Sequence, residues 1–270
     1  MRSLILFLSQ NYLIKKVLLA TVLVVTTLSA FSQTGFHAGA HFGFNGVFIH
    51  NQNSYGFSEM DYEMKFGVYP GIALGYNFDD MNGIQLELNY AQMGQDYYDK
   101  IRDFSLGSGN NDPKVDTYRQ IDLNYLQIPI MYRFQTERKK KSNAVFHAMG
   151  GPTIGLLLSG EQAWQAYISN NGTITDIPEE IIQAAIPDFS STPELEADDA
   201  YFSTLDFGIQ LTVGANIYLN DNLYLSPDLR MYYGFTDINA EATRELYNDF
   251  EFSRNAFVGI SVGIHYHMEQ

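Results

Sequence analysis

The residues of this sequence best placed to do chemistry are histidines and a sparse set of charges. His37 and His41 lie near the start of the mature region, and His265 and His267 near its end. If the two ends of the chain meet, these four imidazoles share one neighbourhood and could hold a transition metal. Their spacing is not diagnostic of a metal site, and the plainer role is hydrogen bonding inside a polar interior. Lys65, Glu87, Asp206, Asp228 and Arg230 fall on the same parity as the histidines. Charges held away from water must be paired, so they are expected to form an ion-pair network. A third group is acidic. Residues 159–202 carry Glu161, Asp176, Glu179, Glu180, Asp188, Glu194, Glu196, Asp198 and Asp199 with no Lys or Arg. Such a stretch could attract divalent cations or a cationic partner, but it lacks EF-hand spacing and reads first as a solvated, self-repelling loop. The chain has no Cys, which removes thiol catalysis and Cys-ligated metal. No nucleophile elbow or metalloenzyme motif occurs, so the reading is a non-enzyme without a cofactor.

Side chains so far apart in sequence need a scaffold that brings them together, and the periodicity supplies one. From Thr34 onward apolar residues alternate with small or polar ones, the mark of strands with two unlike faces. Eight such segments are present. The first sets Phe36, Ala38, Ala40, Phe42 and Phe44 against His37, His41 and Asn45. The second sets Met64, Phe66, Val68, Ile72, Leu74, Tyr76 and Phe78 against Lys65, Tyr69 and Ala73, with Pro70 the awkward residue. The third, 84–95, sets Ile84, Leu86, Leu88 and Tyr90 against Gln85, Glu87 and Asn89. In the fourth, 119–134, Ile121, Leu123 and Tyr125 share one parity while Leu126, Ile128, Ile130, Tyr132 and Phe134 share the other, which predicts a phase change at a bulge before Pro129. The fifth, 144–158, is weakly periodic. The sixth, seventh and eighth alternate cleanly and place Asp206, then Asp228 and Arg230, then His265 and His267 opposite the apolar faces.

The connections alternate short and long. Residues 79–83, 135–143 and 220–222 are brief turns, whereas 50–63, 96–118, 159–202 and 236–252 read as long polar loops, with a short helix expected at 178–185. Even strand number with short turns at one end and long loops at the other is the pattern of a transmembrane β-barrel. The polar face is rich in Gly, Asn, Gln, Ser and Tyr instead of Lys and Glu, which suits a narrow filled lumen better than a water-facing exterior. A soluble, lipocalin-like periplasmic barrel with the faces inverted is the alternative.

Residues 1–33 read as a secretory signal, with Lys15 and Lys16 before the apolar run 17–28 and a small-residue region at 29–33, leaving 34–270 as one barrel domain. The stretch 1–14 is oddly apolar for such a signal, and translation from a start downstream of Met1 would account for it. The whole chain has a formal charge of −15, and the leader holds only bases, so the exported part is more acidic still and repels nucleic acid.

The stretches YLQIPIMYRF (125–134), GGPTIGLLL (150–158), GIQLTVGANIYL (208–219) and RMYYGFTDIN (230–239) resemble the PorT-family or porin-like outer-membrane β-barrel domain of Bacteroidetes. The resemblance covers essentially the whole exported chain. It implies an all-β, single eight-stranded antiparallel up-and-down barrel in the outer membrane of a Gram-negative cell, with short periplasmic turns, long extracellular loops and both termini periplasmic. Members of the family often have no assigned role, and a named one is similar to a component of a secretion apparatus; the reading here is a structural, adhesive or surface-interacting role, with a secretion-accessory component or a small-solute channel as the alternative. The implied partners are outer-membrane lipid, lipopolysaccharide and the assembly machinery that inserts such barrels. Barrels of this kind often end on an aromatic residue, and here Met268, Glu269 and Gln270 follow Tyr266.

Overall fold

The structure, a computed structural model, describes residues 35–50, 61–102, 114–138, 143–170, 173–176, 201–241, 244 and 252–268. The expected leader, the expected helix at 178–185, Asp188, and the acidic residues Glu179, Glu180, Glu194, Glu196, Asp198 and Asp199 lie outside the described residues.

Among the described residues there are eleven strands: β1 (Phe36–His50), β2 (Asp61–Glu63), β3 (Lys65–Val68), β4 (Gly71–Asn77), β5 (Asn82–Arg102), β6 (Lys114–Gln135), β7 (Ala144–Asn170), β8 (Thr173–Asp176), β9 (Leu205–Tyr218), β10 (Leu223–Gly234) and β11 (Arg254–Met268). Pairing runs antiparallel between chain neighbours, and β11 closes on β1 along its full length, from Phe36 opposite Met268 to His50 opposite Arg254. β3 and β4 occupy one position in the ring, both paired with β1 in a single register, so the ring has eight strands. Their interruption is Pro70, which has no N–H to give. The ladder continues past it, because Tyr69 exchanges two backbone hydrogen bonds with Gly43 and Tyr90 N donates to the Pro70 carbonyl at 2.9 Å.

At one end, the turn end, two of the connections close with an aspartate or asparagine side chain. Asp79 accepts from the backbone of Met81 and Asn82, and Asn220 accepts in the same way from Asn222 and Leu223. The Asn82 side-chain amide, then the Met81 and Asn82 backbone amides, hold the Asp79 carboxyl below its ordinary value. Both ends of the ring, Phe36 and Met268, also lie here.

Facing follows parity. Along β1, His37, His41, Gly43, Asn45, Val47 and Ile49 are buried while Phe42, Phe44 and Phe48 are exposed. The same rule holds around the ring, so the exterior is a belt of Ile72, Leu86, Ile130, Leu211, Leu229 and Ile260, with aromatic residues toward both ends such as Phe78, Phe134, Phe146 and Tyr266 on one side and Phe66, Phe207 and Phe235 on the other. Ile260 is 66% exposed and Phe66 68%. An apolar exterior around a polar interior suits hydrocarbon and would be costly in water, which overturns the lipocalin-like alternative.

Two expectations need correction. β6 does not change phase: Ile121, Leu123 and Tyr125 face inward on the same odd parity as Gln127, Met131 and Arg133. The interior itself becomes apolar toward the loop end, which mimics a phase change in sequence. A register shift does occur at Asn124/Tyr125, but the extra residue is Leu158 on β7, skipped between Tyr125 opposite Leu157 and Asn124 opposite Ser159. The second correction concerns the loops. Much of 96–118 and 159–176 is strand, because β5 pairs with β6 out to Arg102 and Lys114, and β7 continues against β6 to Ile168 before turning into β8. A backbone ladder needs no apolar face once it leaves the membrane, so these extensions carry no clean alternation to read.

Candidate functional site in the barrel lumen

The inward side chains form two layers. At the turn end and centre the layer is polar, with His37, His41, Gln85, Glu87, Asn89, Gln127, Arg133, His147, Gln210, Asp228, Arg230 and His265 all buried. Toward the loop end it is apolar, a cluster that includes Ile49, Met93, Ile121, Leu123, Tyr125, Tyr232 and Phe257. Phe202 and Ile238 stopper this cluster from segments that cross the rim, held by Ser203 N donating to the Ile238 carbonyl and Ala240 N to the Tyr201 carbonyl. Asp237 fixes the corner beneath them by accepting from Asn239 N and Ser253 N, both at 3.1 Å.

At the centre sits Arg230 of β10, 1% exposed. Its two terminal nitrogens donate to both oxygens of Glu87 on β5, at 2.6 and 3.2 Å. One of them also reaches Asp228 at 3.3 Å, and Nε donates to the Ser261 hydroxyl at 2.7 Å. The guanidinium fork therefore meets a carboxylate in the bidentate geometry that suits it. The remaining lone pairs of Glu87 accept from Gln85 at 2.7 Å and Asn89 at 3.0 Å. Asp228 accepts from Ser226 at 2.9 Å, and His147 Nε2 lies 3.1 Å from it. A buried ion pair is tolerable only when such further hydrogen bonds complete it.

Tyr69 joins the two layers. Its hydroxyl donates to Gln210 at 2.8 Å and accepts from Asn89 at 2.6 Å, while its ring packs on Phe257 with centroids 5.1 Å apart.

Of the five charges expected in one network, the structure brings together Glu87, Asp228 and Arg230. Lys65 stands at the loop-end rim, paired with Asp96 at 2.6 Å and Asp122 at 2.8 Å. Asp206 is buried apart from Arg230 and accepts from Thr236 at 2.7 Å and Asn255 at 2.9 Å. Both share the inward parity, but parity fixes the face and not the height, and they sit nearer the loop end. The histidines do meet across the β1–β11 seam, His37 lying opposite His267. They do not converge on a metal: the rings of His37 and His265 are 6.2 Å apart, His41 stacks on Tyr69, and the His37 Nε2 lone pair is taken by Arg133 at 2.8 Å. Among the described residues no three His, Asp or Glu side chains could hold a metal ion.

Sequence reasoning put Gln210 and Ser261 on the polar face without giving them a part in the network, and missed His147, Arg133 and Ser226 as members of the polar layer. Their parity relative to neighbouring apolar residues carries the signal for all but His147, whose strand alternates poorly.

No curated protein sequence matches the chain. The sequence profile described as outer membrane protein beta-barrel domain matches residues 31–240. Solved structures similar to it include Neisserial surface protein A, 12% identical with a TM-score of 0.37, covering 86% of this chain and 99% of that one. OprG of Pseudomonas aeruginosa is 11% identical with a TM-score of 0.40, covering 88% and 98%. Ail of Yersinia pestis, solved with the heparin analogue sucrose octasulfate, is 8% identical with a TM-score of 0.31, covering 85% and 98%.

Proposed function

Because the chain belongs to the outer membrane protein beta-barrel domain family, we propose that it is a closed outer-membrane barrel whose work is done by the sheet it holds above the membrane, and that it is neither a channel nor an enzyme. The observation that carries this reading is the contrast between lumen and rim. Glu87, Tyr125 and Arg230 are at most 1% exposed at the middle of the barrel, whereas a water-filled passage would wet them. β7 meanwhile runs 14 residues past Leu156, the residue paired with the first residue of β9. At about 3.3 Å per residue that extension reaches roughly 45 Å. With β5, β6 and β8 it builds a projecting sheet suited to contact with other surfaces.

In this reading the turn end faces the periplasm, residues 1–33 are the export signal, and the loop end faces outward. Support comes from the short turns and both ends of the ring lying together, as outer-membrane barrels place them. Outer-membrane lipid and lipopolysaccharide chains cover the apolar belt, and the assembly machinery inserts it. The strand motifs at 125–134 and 230–239 favour a place within the PorT-type group of Bacteroidetes.

The test is a trimmed barrel in which the β5–β6 and β7–β9 connections are cut to short turns at the level of Leu205. It is expected to fold as a heat-modifiable barrel while cells displaying it lose the attachment and aggregation conferred by the full chain. Equal attachment by both would overturn the surface role.

A further inference from the structure

The outer face of the β1–β11 seam ends, at the loop end, on a cation with no acid against it. Arg254, the first residue of β11, stands directly opposite His50, the last of β1. Both lie on the outward parity of their strands, the parity that carries the exposed Phe48 and Val258 beside them. Their side chains therefore emerge next to each other, with Cβ atoms about 5 Å apart. His50 is exposed and Arg254 half-buried.

Their surroundings are aromatic. The Arg254 guanidinium carbon lies 5.6 Å from the centre of the Phe252 ring, and His50 Nδ1 lies 2.9 Å from the Tyr233 hydroxyl. Tyr233 in turn meets Phe235 of the outer aromatic girdle edge-on. The cluster thus sits where the apolar belt gives way to the headgroup region, the depth that such aromatics mark.

Elsewhere at the rims cations are answered by acids: Lys65 by Asp96 and Asp122, Arg138 by Asp221, and Arg244 by Asp237. Among the described residues no carboxylate lies within ion-pair distance of Arg254, although the chain carries a formal charge of −15. A cation kept clear of acids in so acidic a chain is open to an anion from outside it. The Phe252 ring takes one face of the guanidinium, and the planar fork that matches two phosphate oxygens lies along its edge. With the Tyr233 hydroxyl donating to Nδ1, His50 presents Nε2–H as a second donor.

We propose that Arg254 and His50 form a binding site for the phosphate of an outer-leaflet lipid headgroup, whose acyl chains run down the belt over Phe48 and Val258. The site rests on the loop end facing outward, where phosphorylated lipid lies.

The experiment is native mass spectrometry of the folded barrel released from zwitterionic micelles, with lipid A in one arm and dephosphorylated lipid A in the other. Wild type is expected to retain lipid A at a concentration about tenfold below that needed for the dephosphorylated form. Arg254→Gln, checked for folding by heat-modifiable migration, is expected to remove that preference, Arg254→Lys to keep part of it, and Arg138→Gln at the turn end to leave it intact. Should Arg254→Gln not fold, His50→Gln takes its place, with a several-fold loss expected. Equal retention of the two lipids by wild type, or an undiminished preference in the folded variant, would overturn the site. Binding by the purified barrel does not depend on which way it sits in the cell, so a reversed orientation, read from cysteine labelling of intact cells, is a separate failure.

Discussion

Arg230 on β10 and Glu87 on β5 face each other across the lumen and join through two hydrogen bonds of 2.6 and 3.2 Å, although 143 residues separate them in sequence. Arg230→Ala leaves the buried Glu87 without its cation, held by Gln85 and Asn89 with His41 at 3.9 Å, and removal of one partner of a buried pair costs roughly 3–5 kcal/mol. The pair Arg230→Met with Glu87→Leu removes both of these charges, leaves Asp228 to Ser226 and His147, and is expected to cost less than Arg230→Ala alone. Urea unfolding in lipid vesicles measures both. A double-variant loss equal to the sum of the Arg230→Ala and Glu87→Leu losses would show that the pair does not act as a unit.

Ile260 stands in the middle of the exterior belt, opposite Phe44 on β1 and Leu229 on β10. A lysine there must sit in hydrocarbon, and Ile260→Lys is expected to cost roughly 2–4 kcal/mol in vesicles. A lysine at the exposed Gln165, beyond the belt, should change little. The same unfolding assay compares them, and a silent Ile260→Lys would remove the belt from the lipid.

The absence of native cysteine makes orientation directly measurable. Single cysteines replace Gln162 at the loop end and Asp221 at the turn end, both exposed. In intact cells a membrane-impermeant maleimide is expected to label Gln162→Cys and spare Asp221→Cys, with both labelled after lysis. The reverse pattern would turn the barrel over.

The fold was legible because one physical rule, opposite faces in opposite solvents, repeats along the chain. The clean alternation of 205–217 and 223–235 places Asp206, Asp228 and Arg230 inside, where the structure has them. Three features escaped. The apolar inner layer of Ile121, Leu123 and Tyr125 looks in sequence like an outer face, because burial in a plug and burial in lipid select the same residues. The projecting strands lie beyond the membrane, where no lipid-facing alternation marks the ladder. Height along the barrel, which separates Lys65 and Asp206 from Arg230, depends on register between strands, and a single strand's periodicity does not encode it.

The proposed closure of this outer-membrane barrel by its own side chains is checked by the conductance of the purified, refolded protein in planar bilayers. A membrane that stays at leak level after verified insertion is the predicted result; discrete, reproducible channel steps from the wild-type protein would contradict it.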